Sequence, residues 1–131
     1  MSKVWLVTGS ARGLGRDIAE AVLAHGDRLV ATARRPEQLA DLVERYGEQV
    51  RAVALDVADP AAGRAAVDAA VKAFGRLDVL VNNAGYGHAR PFEQSEEDDF
   101  RAQIETNFYG VVNMTRAALP VMRAQIGRAH V

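Results

Sequence analysis

Four apolar residues, Val4-Trp5-Leu6-Val7, run directly into Thr8-Gly9-Ser10-Ala11-Arg12-Gly13-Leu14-Gly15, and a helical pattern follows at once. A strand that is apolar on both faces must be buried on both sides, which is its situation in a parallel sheet covered by helices. The turn behind it reads G-x-x-x-G-x-G. Glycine tolerates positive φ and lets backbone N–H groups approach a ligand where a Cβ would collide. The helix start adds unpaired N–H groups and the positive end of its dipole, so a strand, turn and helix of this kind suit a pyrophosphate. An ordinary glycine-rich turn is the plainer alternative, and the motif alone does not exclude it.

The rest of the chain repeats the alternation. Strands are expected at about Lys3 to Thr8, Leu29 to Thr32, Val50 to Leu55 and Val79 to Val81. Between them lie helical patterns. Leu14 to His25 carries Ile18, Val22 and Leu23 on one face, and Gly26 stands at its C-terminal end, where His25 also suits the dipole. Pro36 opens a helix with an apolar stripe of Leu39, Leu42, Val43 and Tyr46. Asp59-Pro60 reads as an N-cap and first-turn proline, before a stripe of Val67, Val71 and Phe74 closed by Gly75. Ser95 with Asp98 resembles a loose capping box for a helix bearing Phe100, Ile104 and Phe108 on one face, and a further helix spans Val111 to Arg123. The expected fold is α/β, a Rossmann-type doubly wound parallel sheet that stops after about four βα units.

Composition narrows the function classes. Lys and Arg are dispersed and the formal net charge is -1, which argues against nucleic acid or an anionic membrane as the main partner. The chain has no cysteine, so disulfides and thiolate–metal sites are excluded, and no pair among His25, His88 and His130 has metal-ligand spacing. The first apolar run is too short for a signal or membrane segment, and a cytoplasmic protein is expected. Residues 1–125 are expected to form one incomplete dinucleotide-binding domain. The last residues, Ile126-Gly127-Arg128-Ala129-His130-Val131, do not continue the pattern and spell one reading frame of a widely used sequencing adapter, so 126–131 is expected to be a non-native tail.

The glycine spacing is not the G-x-G-x-x-G of the general dinucleotide fingerprint. Thr8 to Gly15 instead resemble the T-G-x-x-x-G-x-G of the short-chain dehydrogenase/reductase family, in its non-extended branch. Asn82-Asn83-Ala84-Gly85 after the fourth strand, Asp56-Val57 after the third, and Asn107 in T-N-F-Y-G agree with it in order and place. The extended branch, with T-G-x-x-G-x-x-G, does not fit. The resemblance implies hydride transfer between a nicotinamide dinucleotide and a carbonyl or alcohol. It implies cofactor contacts through Thr8, Gly9, Arg12, Gly13, Leu14, Gly15, Arg34, Asp56, Val57, Asn83, Ala84 and Gly85. Asp56-Val57 would meet the adenine, and the Asn82 to Gly85 segment would bond to Thr8. Asn107 would be the catalytic asparagine, holding a water of the proton relay on its backbone carbonyl, although by spacing alone it reads as structural. The loop with His88 would border the substrate cleft, although a solvated histidine is the plainer reading. The parent is expected to be a homo-oligomer with a small-molecule substrate.

Two departures bear on the cofactor and the chemistry. An acid about 20 residues past the glycine turn would favour NAD by binding a ribose hydroxyl. Here the second strand ends in Ala33-Arg34-Arg35, with no acid. Arg34, with Arg12 in the turn, can instead bind a 2′-phosphate, so NADP is the expected cofactor, unless these are simply surface arginines. The family's catalytic tyrosine lies four residues before a lysine, but Tyr46, Tyr86 and Tyr109 precede Val50, Arg90 and Asn113 at that spacing. The family's serine-bearing fifth strand is absent too. The chain is therefore expected to hold the cofactor-binding half and to be inactive alone. A non-enzymatic dinucleotide sensor is the alternative of a different class.

Overall fold

The structure, a computed structural model, describes residues 2–87 and 91–125. The expectations for His88, His130 and the tail 126–131 lie outside the described residues. Four parallel strands form one sheet: β1 (Val4–Val7), β2 (Arg28–Ala33), β3 (Val50–Ala54) and β4 (Val79–Val81), in the order β3-β2-β1-β4. Leu6 lies opposite Val30 of β2 on one side and Leu80 of β4 on the other. The chain leaves β1 toward β2 and later returns to pair β4 on the far side of β1. That reversal opens a crevice at the carboxyl ends of the strands.

Side-chain alternation divides the core into two layers. Val4, Leu6, Val30 and Leu80 pack under α3 (Pro60–Phe74) and α5 (Gly110–Ala124). Val7, Leu29 and Ala31 pack under α1 (Gly13–Ala24) and α2 (Ala40–Tyr46). Leu6 and Leu29 have no exposed surface, and burial of each such side chain contributes about 1.5–3 kcal/mol. Two buried aspartates tie the amino end of β1 to its neighbours. Asp27 accepts from the Lys3 N–H and Trp5 Nε1, both at 3.0 Å, and Asp78 accepts from the Val4 N–H at 2.9 Å while Arg76 bonds it twice over.

Several local expectations hold. Asp59 caps α3 by accepting from the N–H groups of Ala61 and Ala62, at 3.0 and 3.3 Å. Gly26 and Gly75 follow their helices at φ +96° and +81°. Others are corrected. Pro36 opens a 3-10 turn, Pro36–Leu39, before the α-helix. Val43 and Val71 lie outward, 38% and 37% exposed. Of the expected α3 stripe, Val67 is buried and Phe74 packs against the core, but the rest of the buried face is Gly63, Ala66 and Ala70, because small residues admit Met114 of α5 closely, 3.1 Å from where a Cβ on Gly63 would stand. The capping box is not formed: Glu96 occupies the N-cap of α4 (Glu97–Ile104), and the Ser95 hydroxyl turns back to the Pro91 carbonyl at 3.4 Å. Phe100, Ile104 and Phe108 are 44%, 40% and 58% exposed rather than packed. The two expected helices are one helical run, because a π-helical turn, Glu105–Tyr109, joins α4 to α5 without interruption. No described helix is long and apolar enough to cross a membrane.

Two surface ion pairs tie α1 to α2, Glu20 with Arg45 at 3.8 Å and Arg16 with Asp41. The Arg16 guanidinium bonds the Asp41 carboxylate and holds its pKa below the ordinary aspartate value. A depressed folded-state pKa means that the pair stabilises the fold at neutral pH, and that this contribution fades as pH falls below about 4. Denaturant unfolding of Asp41→Asn and the parent should differ at about pH 7 and converge toward about pH 3. A difference that does not vary with pH would remove charge as its cause.

Candidate functional site

A cleft of about 570 Å³ opens at the carboxyl ends of the strands, within the size range of small-molecule sites. Gly9, Ala11 and Arg12 line it after β1, and Ala33, Arg34, Arg35 and Gln38 after β2. Leu55, Asp56 and Val57 line it after β3, and Asn83, Ala84, Gly85 and Tyr86 after β4, with Thr106 from the π turn. Of the residues expected at the site, Gly9, Arg12, Arg34, Asp56, Val57, Asn83, Ala84 and Gly85 meet here. Thr8, Gly13, Leu14, Gly15 and Asn107 stand beside or beneath the wall rather than in it.

Those residues still shape the cleft. Thr8, 1% exposed, accepts hydrogen bonds through Oγ1 from the N–H groups of Asn83 and Ala84, both at 2.9 Å. The same hydroxyl donates to the Val81 carbonyl at 3.4 Å, and Asn83 Nδ2 donates to the Gly9 carbonyl at 3.1 Å. Gly15 is packed so tightly behind the turn that a Cβ there would stand 1.9 Å from the Gly9 carbonyl oxygen. Gly13 is different: its φ is +62°, yet a Cβ would meet nothing within 4 Å. Leu14 beside it is 68% exposed. Asn107 clamps the Tyr86 backbone, accepting its N–H at 2.9 Å and donating to its carbonyl at 2.6 Å. Gly85 makes room for that clamp, since its Cβ would lie 2.9 Å from Asn107 Oδ1.

Two buried hydroxyls escaped the sequence reading. Ser10 Oγ donates to the Val7 carbonyl at 2.7 Å and accepts from the Thr32 N–H at 3.3 Å. Thr32 Oγ1 donates to the same carbonyl at 3.2 Å, and the Ser10 N–H donates to the Thr32 carbonyl at 2.8 Å. Together they fix the glycine turn against the end of β2, two residues before Arg34. A threonine inside an otherwise apolar strand marks a polar side chain there but not the backbone group it meets. Arg35, Gln38, Tyr86, Thr106 and the amide of Asn113, which bonds the Val57 carbonyl at 2.9 Å, were also missed.

The site fits an extended phosphorylated ligand. Arg12 is the N-cap of α1, with no side-chain cap and no acid in the first turn, so the helix start presents free N–H groups to open space at Gly13. Arg12, Arg34 and Arg35 are exposed, and among the described residues none forms an ion pair. Arg12, Gly13, Arg34, Asp56 and Val57 would hold the phosphates, ribose and adenine of a dinucleotide.

The family model described as short chain dehydrogenase matches residues 3–129. The chain is 51% identical over 126 residues to the oxidoreductase BOA17 of Botryotinia fuckeliana, covering 95% of this chain and 46% of that protein. It resembles the crystal structure of a short-chain dehydrogenase from Streptomyces avermitilis at TM-score 0.90 and 44% identity, over 95% of this chain and 46% of that one. A short-chain dehydrogenase/reductase from Burkholderia phymatum, in complex with NAD, matches at TM-score 0.91 and 34% identity, over 98% and 47%. The chain belongs to the short-chain dehydrogenase/reductase family, whose members are oxidoreductases that bind a nicotinamide dinucleotide. It spans about half the length of the relatives it matches.

The two helix-side glycines should behave differently. Gly13→Ala meets only backbone strain and should cost about 1–2 kcal/mol. Gly15→Ala must displace the Gly9 carbonyl and should be much the more damaging. Thermal unfolding of both variants checks this, and the reverse order would show that the turn is not packed as described.

Proposed function

We propose that the whole protein transfers hydride between NADP(H) and a carbonyl or alcohol substrate, and that this chain supplies its cofactor-binding half. The observation that carries the reading is the cleft itself. One buried hydroxyl, Thr8, holds the glycine turn and the Asn83-Ala84 segment side by side along it, next to an uncapped helix start. Bound there, the nicotinamide would supply or accept the hydride. Thr8, Gly9, Gly13, Leu14 and Gly15 form the turn that receives the pyrophosphate, Asp56 and Val57 receive the adenine, and Asn83, Ala84 and Gly85 flank the nicotinamide ribose. Asn107 serves the proton relay through its backbone carbonyl while its side chain holds Tyr86.

The preference for NADP rests on charge. Ala33 is buried where an acid would meet a ribose 2′-hydroxyl, and Arg34 and Arg12 border the same end of the cleft. A charge-assisted hydrogen bond to a 2′-phosphate is worth about 1.5–3 kcal/mol, or about 10- to 100-fold in affinity. In the full-length protein NADPH should bind tighter than NADH by about that factor, and Arg34→Ala should narrow the gap. Equal affinities measured by calorimetry would sink the preference.

Catalysis needs groups that these 131 residues do not contain, since no tyrosine here precedes a lysine by four. The isolated chain is therefore expected to show no NAD(P)H oxidation with carbonyl substrates. Turnover that tracks the purified chain would refute this. A full-length protein that binds the dinucleotide but turns over no carbonyl or alcohol would favour the sensor instead. A cytoplasmic location and a homo-oligomeric active form belong to the same proposal. The exposed cluster of Phe92, Phe100, Ile104, Phe108 and Tyr109 supports the oligomer.

A further inference from the structure

Val57 lies past the end of β3, so its carbonyl has no ladder partner, yet the residue is only 5% exposed. A buried carbonyl needs a donor. Asn113 of α5 supplies it, with Nδ2 2.9 Å from the Val57 oxygen. One turn earlier on the same helix, Gly110 leaves room for the Val57 side chain: a Cβ there would stand 2.5 Å from Val57 Cγ2. The two positions, three residues apart, form one seat for Val57.

The turn around Val57 is rigid within itself. Asp56 Oδ1 accepts the Ala58 N–H and the Asp56 carbonyl accepts the Asp59 N–H, both at 3.0 Å. These bonds set its shape but not its place in the cleft. That place is set through α5. The helix continues unbroken from the π turn, which lines the cleft with Thr106 and holds Tyr86 through Asn107. One helical run thus seats Val57 and carries Thr106 into the cleft.

We infer that Asn113 is a positioning residue for the cofactor, holding the Asp56-Val57 wall at the spacing that the adenosine half of the dinucleotide requires. The inference rests on the dinucleotide reading above. Asn113 does not line the cleft, so it acts only through Val57.

The test uses the full-length protein with Asn113→Ala and the near-isosteric Asn113→Asp, which lacks the donor. Gln125→Ala serves as control, because Gln125 anchors the other end of α5 to the Leu77 backbone through two bonds of 2.9 Å. Calorimetry with ADP-ribose and its 2′-phosphate should show binding about tenfold weaker in both Asn113 variants, the scale of one lost hydrogen bond. KM for the dinucleotide should rise by a similar factor with kcat at saturation unchanged, and Gln125→Ala should move neither. Unchanged ADP-ribose affinity, a fall in kcat without a rise in KM, or equal weakening by Gln125→Ala would overturn the inference while leaving the dinucleotide reading intact. Unfolding of both Asn113 variants would also overturn it, because the amide would then serve the fold rather than the site. A wild-type protein that binds neither ADP-ribose nor any dinucleotide would overturn both.

Discussion

A single hydroxyl group joins the two strand ends between which the cleft opens. Thr8 Oγ1 has one proton to give and two lone pairs to fill, and all are engaged: it donates to Val81 and accepts from Asn83 and Ala84. β1 and β4 are neighbours in the sheet but distant in sequence, and each ends in a turn that leaves the ladder. Without a shared partner, the N–H groups after β4 would be left unbonded in a half-buried place, which is costly. The threonine resolves this and orients both turns toward the same space. Valine has the same shape but no hydrogen bonds to offer.

The cleft is then shaped as much by absent atoms as by present ones. Gly15 lies against the Gly9 carbonyl, Gly9 lies against Ala84, and the Asn83 amide fills the space between them. These contacts lock the turn from behind, while Gly13 faces open space. Ser10 and Thr32 lock it sideways to β2 through a shared Val7 carbonyl. The backbone at this end of the cleft is therefore held in place by the fold itself, an arrangement that lowers the ordering cost of any binding there.

What the sequence disclosed follows from which constraints are local. Strand β4 at Val79 to Val81, the Asp59 cap and the glycine turn are set by neighbours a few residues away, and all three were legible. The Thr8 contact to the Asn83 segment was legible only through family resemblance, because it joins residues 75 apart. The Ser10–Thr32 bonds and the Asn113 bond to Val57 were not legible at all. A lone serine, threonine or asparagine in sequence gives no sign of the buried backbone group it will meet. The α3 stripe was legible only in part, for a different reason. Val67 and Phe74 meet the core as hydrophobicity suggests, but close approach to α5 selects Gly63, Ala66 and Ala70 in place of Val71.

The helical run 97–124 shows how one irregular turn changes the meaning of a regular pattern. Phe100, Ile104 and Phe108 stand fourteen residues before Met114, Ala118 and Met122 respectively. Fourteen residues make about four turns of α-helix, so an unbroken helix would place all six on one buried stripe. Only the second three are buried, each with no exposed surface, while the first three lie outward. The π turn at Glu105–Tyr109 accounts for the difference, since its wider i to i+5 winding rotates α4 relative to α5 by roughly one residue, or about 100°. A helix so divided can bury its second half against α3 and still turn Asn107 toward Tyr86 at the cleft. The apolar residues thereby turned outward are the cost of that arrangement, and they form the surface on which the proposed oligomer rests.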